Sequence, residues 1–425
     1  METKHLYQYF LECKTVSTDT RKITPGCMFF ALKGENFDAN TFAAEALAKG
    51  ARYVVADNVQ YKTSDTILLV QDSLKALQLL AHHHRMQLGL PVIALTGSNG
   101  KTTTKELINA VLSKKYSTTA TTGNLNNHIG VPLTLLAFTA DTEIGIVEMG
   151  ANHQKEIEFL CTIAEPNFGY ITNFGKAHLD GFGGYEGVIK GKSELYGYLE
   201  KNTRLAFVNL DDAIQKQKTA QLPRFTFAAN SYDGNVRIEH IEANPMVKLV
   251  YNDLHIQSHL IGIYNAANLS AAIAMGNYFK VPDNEIKEAL ESYIPANNRS
   301  QLIEKNGNHI ILDAYNANPS SMAAAITNFL QLAGSHKMAI LGDMFELGQE
   351  SREEHRSIVD FLAEEKNTTI FFIGSDFYAN RIEKSHLHFF ETYDDFKFHF
   401  TPAANSTILI KGSRAMALER VLEII

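Results

Sequence analysis

The chain has 425 residues, 45% of them hydrophobic and 20% charged, with a formal net charge of -8. At ~100 to 200 residues per core this length asks for two to four domains, and three is the natural division. The acidic balance speaks against wholesale binding to nucleic acid or to an anionic membrane, since both reward a concentrated positive face.

The first residues, METKHLYQYFLECK, hold no apolar core long enough for a signal peptide, and no run of about 18 apolar residues follows anywhere. Cys13, Cys27 and Cys161 are widely spaced and form no CxxC pair, so neither a disulfide framework nor a zinc site is expected. These features imply a protein working in solution in the cytoplasm, without a nucleic-acid or membrane partner.

Apolar runs at 53–56, 92–95, 144–147, 169–172, 310–312, 338–341, 371–373 and 408–410 predict buried strands. Most are followed by a turn bearing Gly, Asn or Asp and then a helical pattern, the alternation that builds parallel sheets covered by helices. The fold class is therefore α/β. His82, His83, His84 and Arg85 end a helical pattern, and Gly89-Leu90-Pro91 punctuates before the next strand, which puts a boundary near residue 85. The three adjacent histidines do not predict a metal site, because neighbouring helix positions point in different directions.

The strand at 92–95 runs into TGSNGKTTT at 96–104 and then the helical pattern KELINAVLSKKY. A strand, a glycine turn and a helix start form the geometry in which backbone N–H groups and the helix dipole hold phosphates. Gly97, Ser98, Asn99, Gly100 and Thr103 are the expected cradle, with Lys101 reaching the terminal phosphates and Thr102 ligating magnesium. Leu95 stands where the first glycine of the eight-residue P-loop would be, so the pattern is the shorter T-G-x-x-G-K-T form. Glu148 closes the apolar run EIGIVEMG, at the end of a strand where open α/β sheets gather ligands. A carboxylate there is costly to bury without a cation, and magnesium prefers such hard oxygen donors.

Residues 205–260 read as short strands with turns, among them Asp233-Gly234-Asn235. A second break is expected between Pro295 and the strand at 310, with a hairpin turn at Lys305-Asn306-Gly307-Asn308. The resulting domains are 1–85, 86–309 and 310–425.

These residues and the motifs downstream resemble the Mur ligase family over nearly the whole chain. The family marks its site with a P-loop lysine, a magnesium glutamate, a histidine, two asparagines three apart, an arginine and an aspartate. They are matched in order by Lys101, Glu148, His178, Asn265, Asn268, Arg299 and Asp313. The resemblance implies three α/β domains: an N-terminal UDP-substrate domain, a central P-loop parallel-sheet ATPase domain and a C-terminal Rossmann-like domain. It also implies an amide ligase using ATP and two Mg2+ ions, working as a monomer. The implied substrates are UDP-N-acetylmuramoyl tripeptide and D-alanyl-D-alanine, joined through an acyl phosphate as the domains close over them.

Residue by residue, NFGKAHLDGFGG resembles the segment whose histidine ligates a second magnesium, which points to His178. VIKGKSELY resembles the segment with a carbamoylated lysine, matched by Lys192 with Lys190 as a nearby competitor. In GIYNAANLSAAIAMG, Asn265 and Asn268 are implied at the nucleotide, Asn265 is also placed to cap a helix, and Tyr264 replaces the histidine common there. Arg299 is expected on the ATP phosphates and Asp313 on the nucleotide. DTRKITPGCMFFALKGENFDAN resembles the uridine-nucleotide domain, with Asp19, Thr20 and Arg21 as its signature. TTGNLNNHIGVP resembles the loop holding the muramoyl end through Asn126 and Asn127, while His128 stands where an aspartate is frequent and receives no role. GDMFELG and ILIKGSRAM resemble the D-alanyl-D-alanine-adding branch, and the DNPR motif of the diaminopimelate-adding branch is absent. The competing readings are another amide ligase of this family, such as the diaminopimelate- or lysine-adding member or a folylpolyglutamate-type enzyme, the last disfavoured by the N-terminal DTR segment; a non-catalytic ATP-binding regulator; and a P-loop motor or transporter ATPase.

Overall fold

The computed structural model describes residues 1–229, 232–295, 298–334, 336–401 and 404–425. Ala296 and Asn297, within the expected second linker, lie outside the described residues. Three sheets dominate the fold, and every apolar run singled out above overlaps one of their strands.

The first sheet is four-stranded and parallel, in the spatial order Val16–Ser17, Met28–Phe30, Tyr53–Ala56, Ile67–Leu69. Alternate residues serve opposite faces, as strand geometry requires. Met28, Phe30 and Val55 pack towards the main core, while Phe29, Val54 and Ala56 pack under a short helix, Ala43–Ala48. The helix Ser73–Leu88 then leads out of this sheet. Asp72 caps it by accepting from Lys75 N, and it runs one turn beyond Arg85, where the sequence pattern ended it. That last turn is not a linker. Arg85 donates to Ala164 O and Asn167, and His84 lies between Tyr7 OH and Phe138 O, so the helix binds the first sheet to the next one.

The second sheet has seven parallel strands, in the order Val236–Arg237, Arg224–Ala228, Leu205–Asn209, Phe168–Ile171, Val92–Thr96, Ile144–Glu148, Thr118–Ala120. Its inner strands are buried on both faces, which explains their unbroken apolar runs. The stretch expected to hold short strands throughout differs from that picture. Leu205–Asn209 and Arg224–Ala228 extend the parallel sheet and are joined by a helix, Ala213–Lys218, whose N-cap Asp212 accepts from Ile214 N and Gln215 N. Short strands with tight turns begin at Glu239 and form a three-stranded antiparallel sheet with Met246–Tyr251 and Leu254–Ile261.

The third sheet has six strands in the order Gln301–Lys305, Asn308–Asp313, Thr407–Lys411, Lys337–Gly342, Thr368–Ile373, Leu387–Phe390, parallel except for the first. The expected hairpin is present, with Lys305 paired to Asn308 across Asn306-Gly307. Among the described residues, no helix is long and apolar enough to cross a membrane.

Candidate active site

In the central sheet the chain leaves Val92–Thr96 for the edge strand Thr118–Ala120, returns to Ile144–Glu148, and crosses to Phe168–Ile171 on the other side. Strand order thus reverses at Val92–Thr96, and a crevice opens beyond the carboxyl ends of its neighbours. A cavity of about 580 Å³ occupies that place, walled on the far side by the third sheet through Asp313, Tyr315, Asn318 and Lys411.

The glycine turn is built as the sequence implied. Gly97 has φ +144 and Gly100 φ +76, and a Cβ on Gly97 would run into Thr172 Oγ1. The helix Lys101–Leu112 starts directly after Gly100, so its unpaired N–H groups face the turn. Lys101 folds back to donate to Gly97 O at 2.6 Å. Burial pushes its ammonium below the ordinary lysine value, with Glu148 opposing the shift and Arg299 adding to it. Thr102 Oγ1 donates to Glu148 Oε2 at 2.9 Å, and Asn126 Nδ2 donates to Glu148 Oε1 at 2.8 Å.

Glu148 is 1% exposed and is held by these two neutral donors. A buried carboxylate beside a hydroxyl is a donor set for a hard cation, and it fits Mg2+. Among the described residues no three His, Cys, Asp or Glu side chains converge into a metal cluster. A cation here would therefore take much of its coordination from phosphate oxygens and water, as Mg2+ commonly does.

The comparisons with known proteins agree with this geometry along the chain. The model of the Mur ligase family catalytic domain matches residues 12–85, that of the Mur ligase middle domain 95–276, and that of the Mur ligase glutamate ligase domain 298–414. The UDP-N-acetylmuramoyl-tripeptide–D-alanyl-D-alanine ligase of Bacillus subtilis is 35% identical over 96% of this chain and 92% of its own length. The chain belongs to the Mur ligase family. The Escherichia coli enzyme of the same name is 34% identical over 96% of this chain and 92% of its own. Among solved structures, a MurF from Acinetobacter baumannii superposes with a TM-score of 0.86 at 32% identity, covering 99% of this chain and 97% of that one. A MurF ligase from Thermotoga maritima in complex with ADP gives 0.83 at 27% identity, covering 98% and 97%.

Of the residues singled out by the glycine-turn pattern and by the Mur ligase resemblance, Ser98, Asn99, Gly100, Lys101, Thr102, Thr103, Asn126, Asn127, Glu148, His178, Asn265, Asn268, Arg299 and Asp313 line this one cavity. Asn265 is not the helix cap that the sequence suggested. The helix Asn265–Tyr278 begins at that residue, with Tyr264 before it, and the Asn265 amide donates to Ile261 O at 2.7 Å. Its oxygen accepts from Asn268, whose own oxygen accepts from Thr104 at 2.9 Å, so the pair fastens the phosphate-loop helix to its neighbour. Asn127 is partly spent on structure, accepting from Ile129 N and Gly130 N at a helix start. Arg299 lies over the Tyr315 ring, 3.6 Å from its centroid.

Lys192 is fully buried behind the wall, donating at 2.9 Å to O of Ala151, a lining residue. Burial pushes its amine well below the ordinary lysine value, and the charge of Lys101 adds to that. Asp19, Thr20 and Arg21 do not reach the cavity. They follow the strand Val16–Ser17 in the first sheet, where Arg21 pairs with Asp19 at 2.8 Å in the open.

Sequence reasoning missed several lining or supporting residues. Lys411 Nζ meets Asp313 Oδ2 at 2.5 Å while Ser300 N donates to Asp313 Oδ1. Asn318 Nδ2 donates to Asn99 Oδ1 at 2.7 Å, and Glu346 reaches His178. Lys411 was findable: it ends the apolar run ILIK as Glu148 ends IGIVE.

Proposed function

We propose that this chain is an ATP-dependent ligase that joins D-alanyl-D-alanine to the terminal carboxylate of UDP-N-acetylmuramoyl tripeptide, a step of peptidoglycan precursor synthesis. The observation that carries the reading is full-length similarity, in sequence and in fold, to enzymes named for this reaction.

The chemistry is carboxylate activation followed by aminolysis. A tripeptide carboxylate oxygen attacks the γ-phosphorus of ATP and ADP leaves; the amine of D-alanyl-D-alanine then attacks the acyl carbon, phosphate departs and the amine loses a proton. Mg2+, when bound, supplies positive charge to the phosphate oxygens, and in this reading Thr102, Glu148, His178 and a carbamoylated Lys192 hold two such ions. Full burial and a depressed amine support Lys192 in that role, because CO2 adds to the neutral amine. Lys101 and Arg299 steady the phosphoryl group, and the amide N–H groups of the glycine turn cradle its neighbours. Asn265, Asn268 and Asp313 serve the nucleotide. Asp19, Thr20 and Arg21 take the uridine end and Asn126 and Asn127 the muramoyl end. No protein nucleophile enters the scheme, so rate comes from positioning and fixed charge. We assign these tasks to the domains expected at 1–85, 86–309 and 310–425 of a cytoplasmic monomer, with the strand Gln301–Lys305 going with the third, since it pairs with Asn308–Asp313.

The test is phosphate release from ATP and magnesium with UDP-muramoyl tripeptide and D-alanyl-D-alanine omitted in turn, and the product weighed by mass spectrometry. Release that needs both, with a UDP-muramoyl pentapeptide formed, is the expected result. Turnover with a different amine or acceptor would move the chain to another branch of the family.

A further inference from the structure

The loop that follows the strand Lys337–Gly342 in the third sheet is held with unusual care for an apparent connection. Asp343 is 2% exposed and accepts from Asp376 N and Phe377 N. Met344 N donates to Nε2 of the fully buried His355, whose Nδ1 faces Ser351 O at 2.7 Å, and Phe345 N donates to Ser413 Oγ at 2.9 Å. Three successive residues are thus tied down by buried groups, and the next, Glu346, is turned out of the loop with φ +62. Its carboxylate meets Nδ1 of His178 on the central unit, and its carbonyl accepts from Asp180 N at 3.3 Å.

His178 is itself in the left-handed region, φ +53, and its side chain is 21% exposed at the cavity. Two adjoining non-glycine residues in this sparsely populated conformation mark a contact that the surroundings impose. A carboxylate on Nδ1 fixes the ring's rotation and keeps the proton on that nitrogen, leaving Nε2 with its lone pair for whatever the cavity holds.

We infer that Glu346 is a positioning residue: it sets the tautomer and orientation of His178, and it does so only while the third unit is docked on the central one. His178 is then competent only while the two units are docked, so docking of the third unit and readiness of His178 at the cavity become one event. This rests on the ligase reading above for its kinetic consequence, but not for its structural one.

The experiment uses the full chain with 15N-labelled histidine, the His178 signals being assigned by their loss in H178Q. In the unaltered protein we expect a single tautomer, protonated at Nδ1. In E346A both tautomers should appear, kcat should fall by about 10- to 100-fold as for other such supporting carboxylates, and KM for ATP and for the UDP substrate should change less than about threefold. E346Q, which still accepts a hydrogen bond, should restore part of both readouts. E354Q breaks another bridge between the units, the one from Lys176, and should leave the His178 tautomer as it was. Unchanged His178 signals in E346A would overturn the inference, and so would a KM effect without a kcat effect in a variant whose melting curve matches the parent. If the unaltered protein makes no pentapeptide, the ligase reading falls and the tautomer comparison still decides the role of Glu346.

Discussion

The glycine turn of the central sheet and the Asp19–Arg21 turn of the first sheet are both short, polar and placed just after a parallel strand, yet they are built differently. Around the glycine turn, side chains meet partners from distant segments: Thr102 meets Glu148, Thr104 meets Asn268, and Asn99 meets Asn318 of the third unit. Around Asp19 the side-chain bonds are local, with Arg21 closing on Asp19 through both its backbone and its guanidinium, and the longer reach is an exposed one from Lys49 to Thr20 O. The first is held in shape by the fold itself; the second, in the role proposed for it, would have its shape finished by the uridine end of the substrate. Changes at the first should therefore cost catalysis or stability steeply, and changes at the second should cost affinity alone.

The largest effect is expected at Lys101. In the role proposed for it, Lys101 brings charge to the phosphoryl group, so Lys101→Ala should lower turnover by at least about 10²- to 10³-fold. The melting temperature should stay within a few degrees, since Lys101 bonds only to its own loop. Phosphate release and thermal denaturation together check this; a variant of near-parental activity would remove Lys101 from its assigned role.

Next in size are two stability effects. Gly97→Ala places a Cβ against Thr172 Oγ1 at a φ of +144, and strain plus overpacking should cost about 2 to 4 kcal/mol in urea unfolding. A loss under about 1 kcal/mol would mean that the loop relaxes freely and is not preformed. Lys411→Met removes a buried cation, 2% exposed, from Asp313, which stays largely enclosed. Leaving that carboxylate unpaired should cost about 2 to 3 kcal/mol and raise the KM for ATP. An unchanged KM would confine Lys411 to a structural part.

The contrast also explains what was legible in the sequence. The inner strands were readable because both faces of the parallel sheets are covered, so Val92–Thr96 and Ile144–Glu148 are buried along their whole length and Asn308–Asp313 over its central run. The phosphate turn was readable because strand, turn and helix are contiguous, and the chemistry depends on that local order. The helix Ala213–Lys218 was not, since AIQKQK is short and polar and only its Asp212 cap announces it. Asn265 misled because an asparagine beside a helix start suits a cap, whereas here its side chain is taken by the carbonyl of Ile261 in the preceding strand and by Asn268 one turn further along its own helix. Glu346 and His178 are 168 residues apart, and no local pattern records a contact that exists only because two units dock.

The smallest effect should come from the first sheet. The Arg21 guanidinium, then the Arg21 backbone N–H, hold the Asp19 carboxyl down at about 2. Because the folded value lies below the unfolded one, any stability from this pair is present above pH ~4 and is lost as pH falls towards about 2. Arg21 is 86% exposed, so salt screens the pair and Asp19→Asn should leave the melting temperature unchanged at neutral pH. What it should change is recognition: KM for the UDP substrate rises several-fold while kcat holds, because an exposed turn contributes binding alike to ground and transition states. Steady-state kinetics with the UDP substrate varied decides it. A fall in kcat at constant KM would mean that the Asp19–Arg21 turn acts on the reacting centre, and the division between a preformed and a ligand-finished site would fail.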